Sequence, residues 1–173
     1  TKKRIKTLLL FAVFAICAMV APQTAFAAEQ TTIEVSTSSE FNDAVSTANA
    51  ATSGEYTIRL TNDIEGGRLF QQHVPDTILG NGHTITLGGF GSLSVQPGSQ
   101  LNLDAKDGSD TLIISGGNKQ GNDVPGLLYI QGACNMYPGV TVADRKGNNY
   151  FGGGVTVQGG TFHMYGGTID NCG

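Results

Sequence analysis

The sequence predicts an all-β chain whose short strands stack as three-strand solenoid turns behind one amphipathic helix. Three features carry that expectation. The first is Gly152 to Cys172, GGGVTVQGGTFHMYGGTIDNC, where an alternating apolar run returns at 155, 162 and 169, a seven-residue step. Period-two alternation belongs to strands that bury one face, and the Gly159-Gly160 and Gly166-Gly167 pairs allow sharp corners between units. Units this short cannot bury an apolar face alone, so they must stack on similar units. The second feature is Asn81-Gly82, a pair that tolerates positive φ and makes a tight corner between Ile78-Leu79 and Ile85-Leu87. The third is the spacing of Phe41, Ala44, Val45 and Ala48 at i, i+3, i+4 and i+7, which marks a helix with one apolar stripe.

The first residues read as a targeting segment. Lys2, Lys3, Arg4 and Lys6 precede an apolar run from Leu8 to Ala21, and Ala25-Phe26-Ala27 supplies a small-x-small cleavage site, so residues 1–27 are expected to be a secretory signal peptide. The run is shorter than the ~20 residues a membrane span needs. Cys17 follows Ile16 rather than a small residue, which argues against a lipid anchor. Four of the ten Lys and Arg leave with this segment, so six remain against fourteen Asp and Glu, a net charge of −8. That balance argues against binding nucleic acid or an anionic membrane by charge, and no membrane insertion is expected after cleavage.

Residues 28–55 are expected to hold an opening strand, TTIEVS, and the helix. Thr37-Ser38-Ser39-Glu40 fits a capping box, a hydroxyl at the cap with Glu three residues on, and places the helix from about Ser39 to Ala50. Laid over the end of a solenoid, such a helix covers apolar interior and an unpaired strand edge.

Residues 56–173 are expected to be the solenoid. Tyr56 to Leu60 forms its first strand, continued by Ile64 after a polar corner. Inward pairs then follow: Leu93 and Val95, Leu101 and Leu103, Leu112 and Ile114, Leu128 and Ile130, Cys134 and Met136, Val140 and Val142. Val155 and Val157, Phe162 and Met164, and Ile169 complete the set. Turns beginning at 93, 128 and 155 have steps of 35 and 27 residues, and the inequality falls in two insertions, Gly116 to Gly126 and Ala143 to Gly154. Both occupy the same place in successive turns, and insertions of that kind project from one face, often the binding face. The repeat is most regular just before the chain stops, so the solenoid is expected to be truncated at its C-terminal end and to associate end to end.

The run GGGVTVQGGTFHMYGGTIDN resembles the glycine-rich repeat of right-handed parallel β-helix domains on large secreted or wall-attached bacterial surface proteins, pectin-lyase-like in the broad sense. A helix followed by TIRLTNDI and TILGNGHTITL is similar to the start of such domains. The resemblance implies a right-handed parallel β-helix with an N-terminal capping α-helix, and an adhesin-like scaffold that contacts polysaccharide or the glycans of a host or neighbouring cell. It also raises a lyase or hydrolase whose catalytic turns lie beyond residue 173, and a purely structural stalk. Pectin-lyase-like enzymes carry an Asp cluster for calcium with an Arg or Lys base, or NxD, DD, GHG and RxK motifs, and none of these is found here. Paired carboxylates flanking a glycosidic bond are also not nominated. No cofactor and no catalytic residue is expected.

The candidate binding residues lie in the insertions: Asn118, Lys119, Asn122 and Asp123 in one, Arg145, Lys146, Asn148, Tyr150 and Phe151 in the other. Tyr129, Tyr137 and Tyr165 are further aromatic rings able to stack on sugars. Asp104, Asp107 and Asp110 form the one local carboxylate cluster, a weak calcium candidate whose spacing matches no established loop and which reads better as a solvated turn. His73, His83 and His163 lack partners at metal-ligand spacing, and His163 is expected to face outward between Phe162 and Met164. Export permits a Cys134–Cys172 disulfide, while both positions also suit small buried apolar side chains.

Overall fold

Alternation and glycine corners translate directly into strands. In the computed structural model, residues 29–66, 76–87, 91–106, 110–120, 126–146 and 153–173 are described; the expected signal segment lies outside them. In chain order the elements are β1 (Gln30–Val35), α1 (Ser38–Ala50), β2 (Glu55–Leu60), β3 (Ile64–Glu65), β4 (Asp76–Leu79) and β5 (His83–Thr86). There follow β6 (Leu93–Val95), β7 (Gln100–Asp104), β8 (Leu112–Gln120), β9 (Leu128–Ile130), β10 (Ala133–Met136), β11 (Val140–Lys146), β12 (Val155–Val157), β13 (Thr161–Met164) and β14 (Thr168–Asp170). The described chain is thus mostly β, with one helix.

The helix begins where the capping box placed it. The Glu40 backbone N–H donates to Thr37 Oγ1 at 3.2 Å, and Glu40 Oε2 accepts from the backbone N–H groups of Thr37 and Ser36 at 3.2 and 2.7 Å. Those bonds satisfy donors that a helix start otherwise leaves open. The Ser36 backbone donor chiefly holds the Glu40 carboxyl below its ordinary value. The predicted stripe of Phe41, Ala44, Val45 and Ala48 is buried. Phe41, Ala44 and Val45 belong to one apolar cluster with Val35, Ile58, Leu60 and Ile64, so α1 covers the core beside β1 and β2.

All recorded strand pairs are parallel. Sheet A runs β1-β2-β4-β7-β10-β13, sheet B runs β14-β11-β8-β5-β3 and sheet C runs β12-β9-β6. From β4 onward the chain visits A, B and C in that order, then repeats it. Each return pairs in register with the strand left one circuit earlier, which lines side chains into columns. Ile33, Ile58, Ile78, Leu103, Met136 and Met164 form the inner column of sheet A. Ile64, Ile85, Ile114, Val142 and Ile169 do so in sheet B. Val95, Ile130 and Val157 do so in sheet C.

Every predicted inward pair from Leu93-Val95 to Val140-Val142 is buried. The last set departs from the expectation: Val155 and Phe162 are half-buried against the core, but Val157 and Met164 are each 47% exposed and Ile169 is 41% exposed. The cause is position, because β12, β13 and β14 are each the outermost strand of their sheet and no further described strand covers them. The Asn81-Gly82 corner forms as predicted between β4 and β5, with φ of 51° and 88°. Positive φ at both central residues is the geometry that favours an Asn-Gly pair. Cys134 and Cys172 are unbridged; Cys134 is buried in the core and Cys172 is half-buried. Among the described residues no helix is long and apolar enough to cross a membrane.

Candidate functional site

The two insertions begin as strand. In sheet B, β5 pairs with β8 as far as Thr86↔Ser115, and β14 pairs with β11 as far as Ala143↔Asp170. Beyond those points β8 and β11 continue alone and side by side, with Arg145 opposite Lys119 and Lys146 opposite Gln120. The register shifts between Ala143 and Arg145, and Asp144 takes φ 60° there. Three residues of β8, 116–118, oppose the single Asp144 of β11, and such an irregularity bends a strand and re-aims its side chains.

Four of the nine candidate residues stand in this extension. Asn118 and Lys119 are in β8, and Arg145 and Lys146 are in β11, rather than in loops. Arg145 is fully buried, whereas Lys146 is exposed. Asn122, Asp123, Asn148, Tyr150 and Phe151 lie outside the described residues. The structure therefore brings Lys119 and Arg145 to facing register positions, but it turns Arg145 away from any ligand approaching from solvent.

Buried Arg145 belongs to a packed corner. Burial lowers its guanidinium from the ordinary value, and the neighbouring Cys172 acts in the opposite sense. Burial likewise raises the Cys172 thiol, opposed by the Arg145 backbone and reinforced by Asp144 and Asp170. Cys172 Sγ donates to the Val142 carbonyl at 3.7 Å, and Asn171 Nδ2 donates to Asp144 Oδ1 at 2.8 Å. Gly116 completes the corner because a Cβ there would lie 2.6 Å from Arg145 Cβ and 2.6 Å from the Asp144 carbonyl oxygen. This chemistry is structural, a charged side chain and a thiol held beside backbone.

Only two members of the weak calcium candidate are among the described residues. Asp104 ends β7, Asp110 stands before β8, and Asp107 lies outside the described residues. Among the described residues no group of three or more His, Cys, Asp or Glu could hold a metal ion. His83 Nδ1 lies 3.4 Å from Asp63 Oδ1, a carboxylate that also accepts from the Thr84 backbone N–H at 2.8 Å. His73 lies outside the described residues.

Two features escaped the sequence reading. Asp76 is 1% exposed, and neither carboxylate oxygen has a hydrogen-bond partner of ordinary geometry among the described residues. It pairs with Leu101 in the register of sheet A, in a column continued by buried Cys134. Desolvation pushes its carboxyl up to about 7, with the Tyr56 backbone acting weakly in the other direction. The signal was present in the sequence, since Asp76 stands two residues before inward-facing Ile78 and must share its side of the strand.

The second feature is the outer face of sheet A. Thr57, Thr77, Asn102, Asn135 and His163 form one column at successive register positions. Asn135 Nδ2 donates to Asn102 Oδ1 at 2.8 Å, and Asn102 Nδ2 donates to Thr77 Oγ1 at 3.4 Å. His163 faces outward, as expected. Tyr137 and Tyr165, each following the end of its strand, stack with ring centroids 5.3 Å apart, and His163 stacks with Tyr165 at 6.0 Å. Tyr129 lies instead in sheet C, where its hydroxyl donates to Gln158 Oε1. Compared with known proteins, the chain matches no family model, no curated protein and no solved structure.

Proposed function

We propose that this chain is an exported cell-surface scaffold of the right-handed parallel β-helix type, acting in adhesion through contact with glycans. One observation carries the reading: three parallel sheets visited in a recurring order, with apolar columns inside and polar side chains outside. A chain that circulates in one sense among parallel strands is most often right-handed, because right-twisted strands connect back that way. In this reading α1 is the cap that shields one end of the stack. Residues 1–27 direct export and leave after Ala27, residues 28–55 form the opening strand and cap, and residues 56–173 form the stacked turns. Repeats of this kind offer long, regular surfaces rather than a single cleft, which suits multivalent contact with a polymer.

The test has two arms. Amino-terminal sequencing of protein recovered from the outer surface of expressing cells should read from Ala28, and fluorescent neutral and acidic polysaccharides should be retained by the purified protein. Protein retained inside the cell with residues 1–27 attached would refute export. Export without retention of any polysaccharide would leave a stalk and refute adhesion through glycans.

A further inference from the structure

The outer face of sheet A carries one column with three properties: regular spacing, no charged side chain and an aromatic end. Strands in a sheet lie about 4.8 Å apart, so the column from Thr57 to His163 repeats a hydroxyl, amide or imidazole group at about that interval. A single pyranose unit in an extended polysaccharide has a comparable length, so successive sugars can meet successive strands. The groups are also held in place. Asn102 Oδ1 accepts from Asn135 Nδ2 at 2.8 Å and from Gln100 Nε2 at 3.4 Å, while its own amide donates to Thr77. Amides fixed in this way lose little further entropy when a ligand binds.

Charge selects the class of ligand. No carboxylate, ammonium or guanidinium stands in the column from Thr57 to His163. The nearest outward cation on β2, Arg59, is paired with Glu34 at 3.2 Å. An acidic polymer would therefore lose hydration of its carboxylates with no countercharge to replace it, on a chain that is itself acidic. Neutral hydroxyls need only the donors and acceptors that Thr and Asn supply. At the end of the column Tyr165 is 62% exposed and stacks on Tyr137 and His163, which fixes the ring while leaving much of it open. An aromatic ring of that kind offers an apolar body beside a polar handle, which matches the C–H face and hydroxyl rim of a sugar.

From this juxtaposition we infer that the outer face of sheet A is a binding strip for an extended neutral polysaccharide, with Tyr165 and His163 as its aromatic end and Asn102 and Asn135 as its polar track. The inference rests on the glycan-contact reading and moves the contact from the insertions to the sheet.

Isothermal titration of the protein with cellohexaose, chitohexaose and mannohexaose, with trigalacturonate as the acidic probe, tests it. At least one neutral hexaose should bind, with trigalacturonate weaker. Tyr165→Ala should weaken that binding by about tenfold, the equivalent of roughly 1.4 kcal/mol. Tyr165→Phe should restore it, and Lys146→Ala should leave it unchanged. Tyr165 is exposed, so circular dichroism of the alanine variant should match the parent. Binding that survives Tyr165→Ala but is lost with Lys146→Ala would overturn the sheet A assignment and leave glycan contact standing. A preference for trigalacturonate would overturn the neutral class. Failure of every probe to bind would overturn the glycan reading itself, and this inference with it.

Discussion

Replacing Asp76 with Asn should make the protein more stable in neutral solution and remove a pH dependence that the parent carries. Asp76 is 1% exposed and its carboxyl is raised from an ordinary value of 3.8 to about 7 by burial. The folded protein therefore holds a proton that the unfolded chain releases between those two values. The stabilising contribution of the protonated group is complete below about 3.8 and is lost as pH rises through about 7. At 1.36 kcal/mol per pH unit, the interval sets a ceiling of about 4 kcal/mol. Asn occupies nearly the same volume and never ionises. Glu40 titrates with the opposite sign, its contribution being lost as pH falls, but parent and variant share it and it cancels from their difference. Thermal unfolding by circular dichroism from pH 4 to pH 8 gives the assay. The gap between Asp76→Asn and parent should widen with pH, at roughly 2–4 °C for each kcal/mol. Parallel curves, or a gap that narrows with rising pH, would refute a buried carboxyl without a compensating partner.

Three further outcomes follow from packing. Gly116→Ala should destabilise the two-stranded extension of β8 and β11, since its Cβ would meet Arg145 Cβ and the Asp144 carbonyl at 2.6 Å; backbone shifts from such overpacking cost about 1–3 kcal/mol, readable by urea unfolding. Cys134 and Cys172 should differ in reactivity. Burial pushes the Cys134 thiol up to about 12, so iodoacetamide at pH 8 should label half-buried Cys172 first and Cys134 only on unfolding, as mass spectrometry would establish. Finally, Val157, Met164 and Ile169 expose apolar surface on β12, β13 and β14, each the outermost strand of its sheet among the described residues, a template for association. Sedimentation velocity should find end-to-end oligomers that Met164→Lys and Ile169→Lys disperse; a monodisperse parent would count against that contact.

The strands were legible because each carries its own period. Leu101-Leu103 and Cys134-Met136 alternate within one run, and the Asn-Gly pair declares its own corner, so local residues suffice. The helix was equally readable, since its cap and stripe both lie within a dozen residues. Partnership between strands distant in sequence was harder to read. Asn102 and Asn135 are 33 residues apart and meet only because Leu103 and Met136 share a column. Arg145 was misplaced for a related reason: alternation continued from Val142 would not bury it, and the shift at Asp144 does. Asp76 was missed because a carboxylate on an inward position contradicts the usual cost of burying charge.

Parallel stacking in register underlies both the scaffold reading and the sheet A strip, and one distance tests it most directly. Thr32 and His163 stand at the two ends of the outer column of sheet A, five strand spacings apart. With Cys172→Ser to silence the accessible thiol, nitroxide labels on Cys introduced at 32 and 163 should give a narrow distance distribution near 24 Å by double electron–electron resonance, about 4.8 Å for each spacing. A broad distribution, or a maximum beyond about 35 Å, would mean that these strands do not stack in that order and would contradict the account.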